Sequence, residues 1–204
     1  MNTRNYQQEM ERAMAAVPKG TPLLLHACCG PCASAVLEVL AGHFAVTVLF
    51  YNPNIATEAE NEKRLATLGA LLDAAWPQNQ VGLLEGPYCP EAFYAACGNM
   101  GHLPEGGARC EVCFALRMDE AALQAQALGI PWFCTTLTVS PHKNAHSVNA
   151  AGEAAAQKYG LQFLPADFKK KDGYRRSTEL SRQYGLYRQS YCGCEYSRGA
   201  EEQE

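Results

Sequence analysis

Short apolar runs bounded by turn residues alternate along this chain with longer stretches whose apolar positions recur every three or four residues. Residues 3–17 form the first such stretch, an amphipathic helix predicted to end before Pro18 and Gly20. PLLLHA (22–27) is almost continuously apolar, as a strand covered on both faces of a parallel sheet must be. Gly30 and Pro31 then turn the chain, and Pro31 suits the first position of a helix running to Gly42. VTVLFY (46–51) is the next strand, and Thr57 with Glu60 forms a T-x-x-E capping box opening a helix through Trp76. VGLLEG (81–86) is a third strand. The segment 87–107, with Pro87, Pro90, Pro104, Gly106 and Gly107, is expected to be irregular.

A helix follows from Arg109 to Leu128, with Gly129 placed to end it, and PWFCTTLTV (131–139) has the β-branched and aromatic content of a strand. Asn149 to Tyr159 is a further helix stopped by Gly160, and LQFLP a last short strand. The tail, 166–204, carries a basic run, a short helix near 177–184 and a final cysteine pair. Such alternation predicts an α/β fold, a parallel sheet covered by helices. With no internal repeat and no flexible linker, residues 1–204 are expected to form a single domain with a cysteine-bearing C-terminal segment.

Composition narrows the setting. Hydrophobic residues make up 48% of the chain, enough for a substantial core, yet nothing approaches the roughly eighteen apolar residues of a membrane span. The polar start, MNTRNYQQEMERAM, lacks the apolar core of a secretory signal, so a cytoplasmic, reducing location with no membrane partner is expected. The net charge of −4 argues against indiscriminate polyanion binding. FKKKDGYRR nevertheless gathers Lys169, Lys170, Lys171, Arg175 and Arg176, with Arg182, Arg188 and Arg198 beyond. A solvated loop would look like this, and so would a phosphate contact on a nucleic acid.

The ten cysteines change the picture most. Seven fall into three clusters: Cys28, Cys29 and Cys32 in HACCGPCAS, Cys110 and Cys113 in ARCEVCFALR, and Cys192 and Cys194 in QSYCGCEYS. Clustered thiols make a disulfide frame, a metal site or a redox device, and a reducing compartment weakens the first. The first cluster follows a strand directly and straddles a helix start, where sheet ligands bind and thiol pKa values fall. A four-cysteine zinc site on Cys29, Cys32, Cys110 and Cys113 is one assignment. Its pairs are far more widely separated than those of structural zinc modules, and the adjacent Cys28 fits a closed tetrahedral site poorly. An iron–sulfur cluster on Cys28, Cys29, Cys110 and Cys113 is the preferred alternative, leaving Cys32 for another role.

Cys192-Gly193-Cys194 closes a very small ring when oxidised, a poor staple and a good electron store. HACCGPCAS puts thiols where a glycine-rich loop would cradle phosphates, which argues against ATP there. Thr135, Thr136, Thr138 and Ser140 end a later strand at the same sheet edge, with His142 and Lys143 as candidate proton donors or anion contacts. Cys134 is expected in the core; Cys89 and Cys97 have no partner spacing.

Five stretches together resemble the QueH family of epoxyqueuosine reductases, the cobalamin-independent type: LLLHACCGPCAS, YNPNI, PEGGARCEVCFALR, TTLTVSPHKN and GLYRQSYCGCEYS. They extend from residue 23 to residue 197. The resemblance implies a Rossmann-like sheet of the adenine-nucleotide α-hydrolase type and a [4Fe–4S] cluster on Cys28, Cys29, Cys110 and Cys113. It also implies a redox-active pair, Cys192 and Cys194, and two-electron deoxygenation of epoxyqueuosine to queuosine at the wobble position of tRNA. The expected partners are that tRNA and an electron donor. Cys32 is expected to act with the pair, or with it to bind an additional iron. Where the family pattern leads one to expect an acidic residue after Tyr88, this chain has Cys89. Two competing readings are an iron–sulfur tRNA-thiolating enzyme, whose Ser-Gly-Gly loop is missing, and a colourless zinc-stabilised RNA-binding module.

Overall fold

The computed structural model describes residues 4–78 and 80–197. Five parallel strands form one sheet: β1 (Thr21–Ala27), β2 (Phe44–Phe50), β3 (Gly82–Glu85), β4 (Trp132–Thr135) and β5 (Gln162–Phe163), in the order β3-β2-β1-β4-β5. Strand β1 pairs with β2 from Thr21↔Phe44 to Ala27↔Phe50 and with β4 from Leu23↔Trp132 to His26↔Thr135. The architecture is α/β with a Rossmann-like strand order.

The helices are α1 (Tyr6–Ala15), α2 (Gly30–Leu40), α3 (Glu58–Ala75), α4 (Pro90–Cys97), α5 (Ala108–Ala127), α6 (Ala145–Tyr159) and α7 (Gly173–Gln183). Period-two alternation in β1 divides them between two layers. Leu23, Leu25 and Ala27 point into the core shared with α1, α2 and α3, whereas Leu24 packs with Met118, Ala121 and Val148 of α5 and α6. His26 follows Leu24 onto the α5 face, entirely buried.

Four differences from the predicted elements have physical causes. The segment 87–107 is not wholly irregular: Pro90 takes the first helical position of α4, which buries Phe93 and Cys97 one turn apart. The strand expected over 131–139 ends at Thr135, whose hydroxyl accepts a hydrogen bond from the Leu137 amide at 3.2 Å and draws Thr136–Val139 into a 3₁₀ turn. Helix α7 starts earlier than expected. Gly173 permits this, since a Cβ there would lie 1.8 Å from the Phe168 carbonyl oxygen.

The Thr57–Glu60 capping box does not form. Thr57 is the N-cap residue but makes no side-chain cap bond, because Glu60 is committed elsewhere. Its carboxylate binds Arg64 at 2.6 Å and accepts from the Tyr187 hydroxyl at 3.1 Å. Arg64, 1% exposed, donates in turn to the Cys192 carbonyl at 3.0 Å and the Tyr191 carbonyl at 3.4 Å. One buried ion pair on α3 therefore fastens the C-terminal segment to the sheet edge. Burial disfavours the Arg64 charge, and the Glu60 carboxylate more than offsets it.

Arg64→Ala leaves Glu60 unpaired, and breaking a buried pair this way costs about 3–5 kcal/mol. Urea unfolding should show that loss, and amide exchange over 186–197 should accelerate. Arg176→Ala, which removes only exposed pairs, with Glu38 and Glu179, should cost less than about 1 kcal/mol.

Candidate active site

The strand order reverses between β1 and β4, and at such a switch point the carboxyl ends of the strands open a crevice. Cys28 and Cys29 leave β1 there, and Thr136 leaves β4. The Cys28 and Cys29 sulfurs are 3.7 Å apart, and Cys28 Sγ lies 4.0 Å from Thr136 Oγ1. Cys29 caps α2 and Cys32 occupies its first turn, so the three sulfurs lie within 4.8 Å of one another and could hold a metal ion. Gly30 makes this approach possible: a Cβ there would press on Thr67 of α3 at 3.1 Å. Cys32, set apart in the sequence-based ligand set, is thus grouped in space with Cys28 and Cys29.

The electrostatics favour one thiolate. Hydrogen bonds from the Cys29 and Cys32 thiols hold Cys28 well below the usual thiol range, with help from the Arg117 and Lys143 charges and against its burial. That anion pushes Cys29 up to about 11 and Cys32 well above the ordinary value.

Arg117 is 1% exposed and donates to two neutral groups, Asn52 Oδ1 at 2.6 Å and His26 Nε2 at 3.3 Å. Burial opposes its charge, and the neighbouring Cys113, Cys28 and Cys192 sulfurs more than offset that burial. Asn52 also donates to the Ala27 carbonyl at 3.0 Å, tying the ends of β1 and β2. Burial first, then Arg117, lowers the His26 pKa to about 3, so the ring is neutral. Its Nδ1 meets Thr135 Oγ1 at 2.9 Å. Nε2 either donates to the Tyr51 carbonyl at 3.0 Å or accepts from Arg117, since one ring proton cannot serve both.

The second and third clusters face the first. Cys113 and Cys194 are buried together against Phe93 and Cys97, and burial pushes the Cys113 thiol up to about 12. Cys110 Sγ accepts from the Gly106 amide at 3.2 Å. Gly193 has φ +113°, and a Cβ there would meet Ile55 at 3.0 Å and Arg64 at 3.1 Å, so the Cys-Gly-Cys loop accepts only glycine at its centre.

A cavity of about 260 Å³ opens beside these groups, lined by Cys28, Cys32, Arg117, Lys143, Tyr191 and Cys192 among others. A smaller one of about 20 Å³ abuts it, lined by Cys110, Cys113, Cys192 and Cys194. His142 and Lys143 line both. Lys143 stays charged because the neighbouring Cys192 and Cys28 sulfurs outweigh its burial. The donors that converge within metal-binding distance are all sulfur, and the facing cations have no carboxylate partner among the described residues. That combination fits an anionic metal–thiolate group.

The basic run lies elsewhere. Lys169 is spent internally, on the Thr138 carbonyl at 3.1 Å, the Lys143 carbonyl at 3.2 Å and Asp167 at 3.1 Å. Lys171 pairs with Glu11, Arg175 with Glu179 at 3.3 Å, and Arg176 with Glu38 at 2.7 Å; these and Lys170 are exposed. Arg188, with Tyr174, does line the larger cavity, whereas Arg198 is outside the described residues. Cys134 is in the core as expected, its thiol donating to the Leu164 carbonyl at 3.3 Å. Cys89 is half-buried, its sulfur 3.6 Å from the Tyr51 hydroxyl.

Pattern alone did not single out Arg117, His26, Asn52 or Arg64. For Arg117 a signal existed: it follows Cys113 by four residues and Cys110 by seven, one helical face.

The sequence profile of the family described as "Epoxyqueuosine reductase QueH" matches residues 23–200. A protein of that name from Streptococcus pyogenes is 37% identical over 199 residues, covering 97% of this chain and 78% of its own length. The Staphylococcus epidermidis protein so named is 35% identical over 86% of this chain and 75% of its own. That of Thermotoga maritima is 34% identical over 86% of this chain and 89% of its own. The match begins in β1, ahead of the first thiols, and continues past the last pair, so the chain belongs to the epoxyqueuosine reductase QueH family of oxidoreductases.

Proposed function

We propose that this protein reduces epoxyqueuosine to queuosine at the wobble position of tRNA, in the cytoplasm. The observation that carries the reading is the meeting of three separate cysteine clusters around two abutting cavities, with Cys192 in both walls. Family membership supplies the substrate. It also supports a Rossmann-like sheet of the adenine-nucleotide α-hydrolase type and a single domain over 1–204.

Deoxygenation breaks both C–O bonds of the epoxide, leaves a carbon–carbon double bond and releases the oxygen as water. It consumes two electrons and two protons. The Cys192 and Cys194 thiols supply both on closing to a disulfide, so the balance is one epoxide and one dithiol to one alkene, one water and one disulfide. The strain of so small a ring keeps the bridge reducible, ready for an electron donor. Cys28, Cys29, Cys110 and Cys113 would hold a [4Fe–4S] cluster. Such a cluster, when bound, supplies low-potential electrons and Lewis-acidic iron.

Arg117 and Lys143 balance the charge of the Cys28 thiolate, and the apolar cluster of Phe93, Cys97, Cys113 and Cys194 keeps water from the buried member of the pair. Cys32 shares the larger cavity with Cys192 and works with the pair, by thiol exchange or by holding an additional iron with it. His142 and Lys143 border the substrate. The exposed Lys170, Lys171, Arg175 and Arg176 contact tRNA phosphates; Lys169 acts through its internal bonds.

Cys28→Ser, Cys29→Ser, Cys110→Ser and Cys113→Ser, purified without oxygen, should each lose most iron and visible absorbance, whereas Cys134→Ser keeps both. A colourless, zinc-loaded wild-type protein would overturn the iron–sulfur assignment.

Cys192→Ser and Cys194→Ser should abolish reduction while tRNA binding and cluster iron persist. Mass mapping of alkylated wild-type protein after one turnover without external reductant should find the Cys192–Cys194 bridge. Finding no bridge would make the pair a metal ligand and not the electron store.

Replacing Lys170, Lys171 and Arg175 together by Ala should weaken tRNA binding and reduce the slope of log affinity against log salt by about two, given about 0.7–0.9 per phosphate contact. Lys169→Ala should lower stability and leave that slope unchanged.

A further inference from the structure

Among the described residues, Glu105 is the only carboxylate lining either of the two cavities that reach the thiols. Apart from the Cys28 thiolate, every other charged group there is cationic: Arg117, Lys143 and Arg188 in the larger, Arg109 and Lys143 in the smaller. Arg109 gives its Nη1 to the carbonyls of Met100, Gly101 and Leu103. Glu105 has no hydrogen bond or ion pair with any described residue. Its position is nonetheless defined. It is the second residue of the turn Pro104–Gly107, closed by the Gly107 amide on the Pro104 carbonyl at 3.2 Å, with Gly106 at φ +85° in the third place. The Gly106 amide then binds Cys110 Sγ at 3.2 Å, which fixes the turn to the thiol site.

Resting on the reductase reading, we propose that Glu105 is a specificity-determining residue that binds the secondary ammonium of the epoxyqueuosine side chain. In that substrate the cyclopentane epoxide is joined to the base through an amine, which is protonated near neutral pH. Three cations in the wall of the larger cavity outnumber the Cys28 thiolate and repel an ammonium, so its entry needs a further anion, and Glu105 is the carboxylate that the wall supplies. The amine-bearing carbon neighbours the epoxide in one ring. A charge-assisted bond from that nitrogen to a carboxylate tethered to Cys110 therefore sets the distance of the epoxide from the thiols. The same contact distinguishes the modified base from the guanine of an unmodified tRNA, which brings no cation to this place.

The test uses iron-loaded protein and two tRNAs, one carrying epoxyqueuosine and one carrying guanine at the wobble position. Glu105→Gln should weaken binding of the epoxyqueuosine tRNA by about ten- to a hundredfold and raise KM by a similar factor. The guanine tRNA should bind as before, and iron content and absorbance should not change. Glu105→Asp, which keeps the charge, should recover part of the preference. Equal weakening of both tRNAs, or of neither, would overturn the assignment. Wild-type protein that binds the two tRNAs equally and leaves the epoxide intact would overturn the reductase reading with it.

Discussion

A guanidinium buried with no carboxylate to balance it is a severe constraint, because an unpaired charge is strongly disfavoured away from water. Arg117 imposes that constraint on everything around it. Its neighbours Asn52 and His26 are neutral, and His26 is held so by burial. The compensating negative charge is the Cys28 thiolate, and the Cys113 and Cys192 sulfurs, one from each other cluster, also lie beside the guanidinium. A single side chain on α5 therefore couples three distant parts of the chain electrostatically. It also explains why β1, otherwise apolar, carries a histidine in its most buried stretch.

Shape at the site depends on a second buried cation used differently. Arg64 is paired with Glu60, and its remaining donors go to backbone carbonyls of the Cys-Gly-Cys loop. Arg117 acts through charge and Arg64 through hydrogen-bond geometry. Each needs the other: sulfurs gathered by charge alone would have no fixed loop, and a fixed loop alone would have nothing to hold Cys28 ionised.

Most of the sheet was legible in the sequence because its strands are covered on both faces and leave continuous apolar runs between turn residues. The cysteine clusters were equally plain from spacing. Three things were not. The end of β4 depends on a competition between the Thr135 hydroxyl and the sheet ladder, which a run of β-branched residues hides. The basic run looked uniform, yet Lys169 turned inward because unpaired carbonyls at Thr138 and Lys143 lie within its reach. The capping box failed because Glu60 found a buried partner, Arg64, better than an exposed amide. Thr135 and Glu60 were each claimed by a competing partner near in sequence, and Lys169 by carbonyls far from it along the chain.

The walls of the thiol cavity are drawn from chain positions as far apart as Cys28 and Cys192. On a ribosome, the sheet and its first thiols emerge long before the loop that faces them. The early clusters are then exposed to solvent and to adventitious metals until nearly the whole chain is made. Correct occupancy of this site is a late event in the life of each molecule, and a partly synthesised chain can capture the wrong ion.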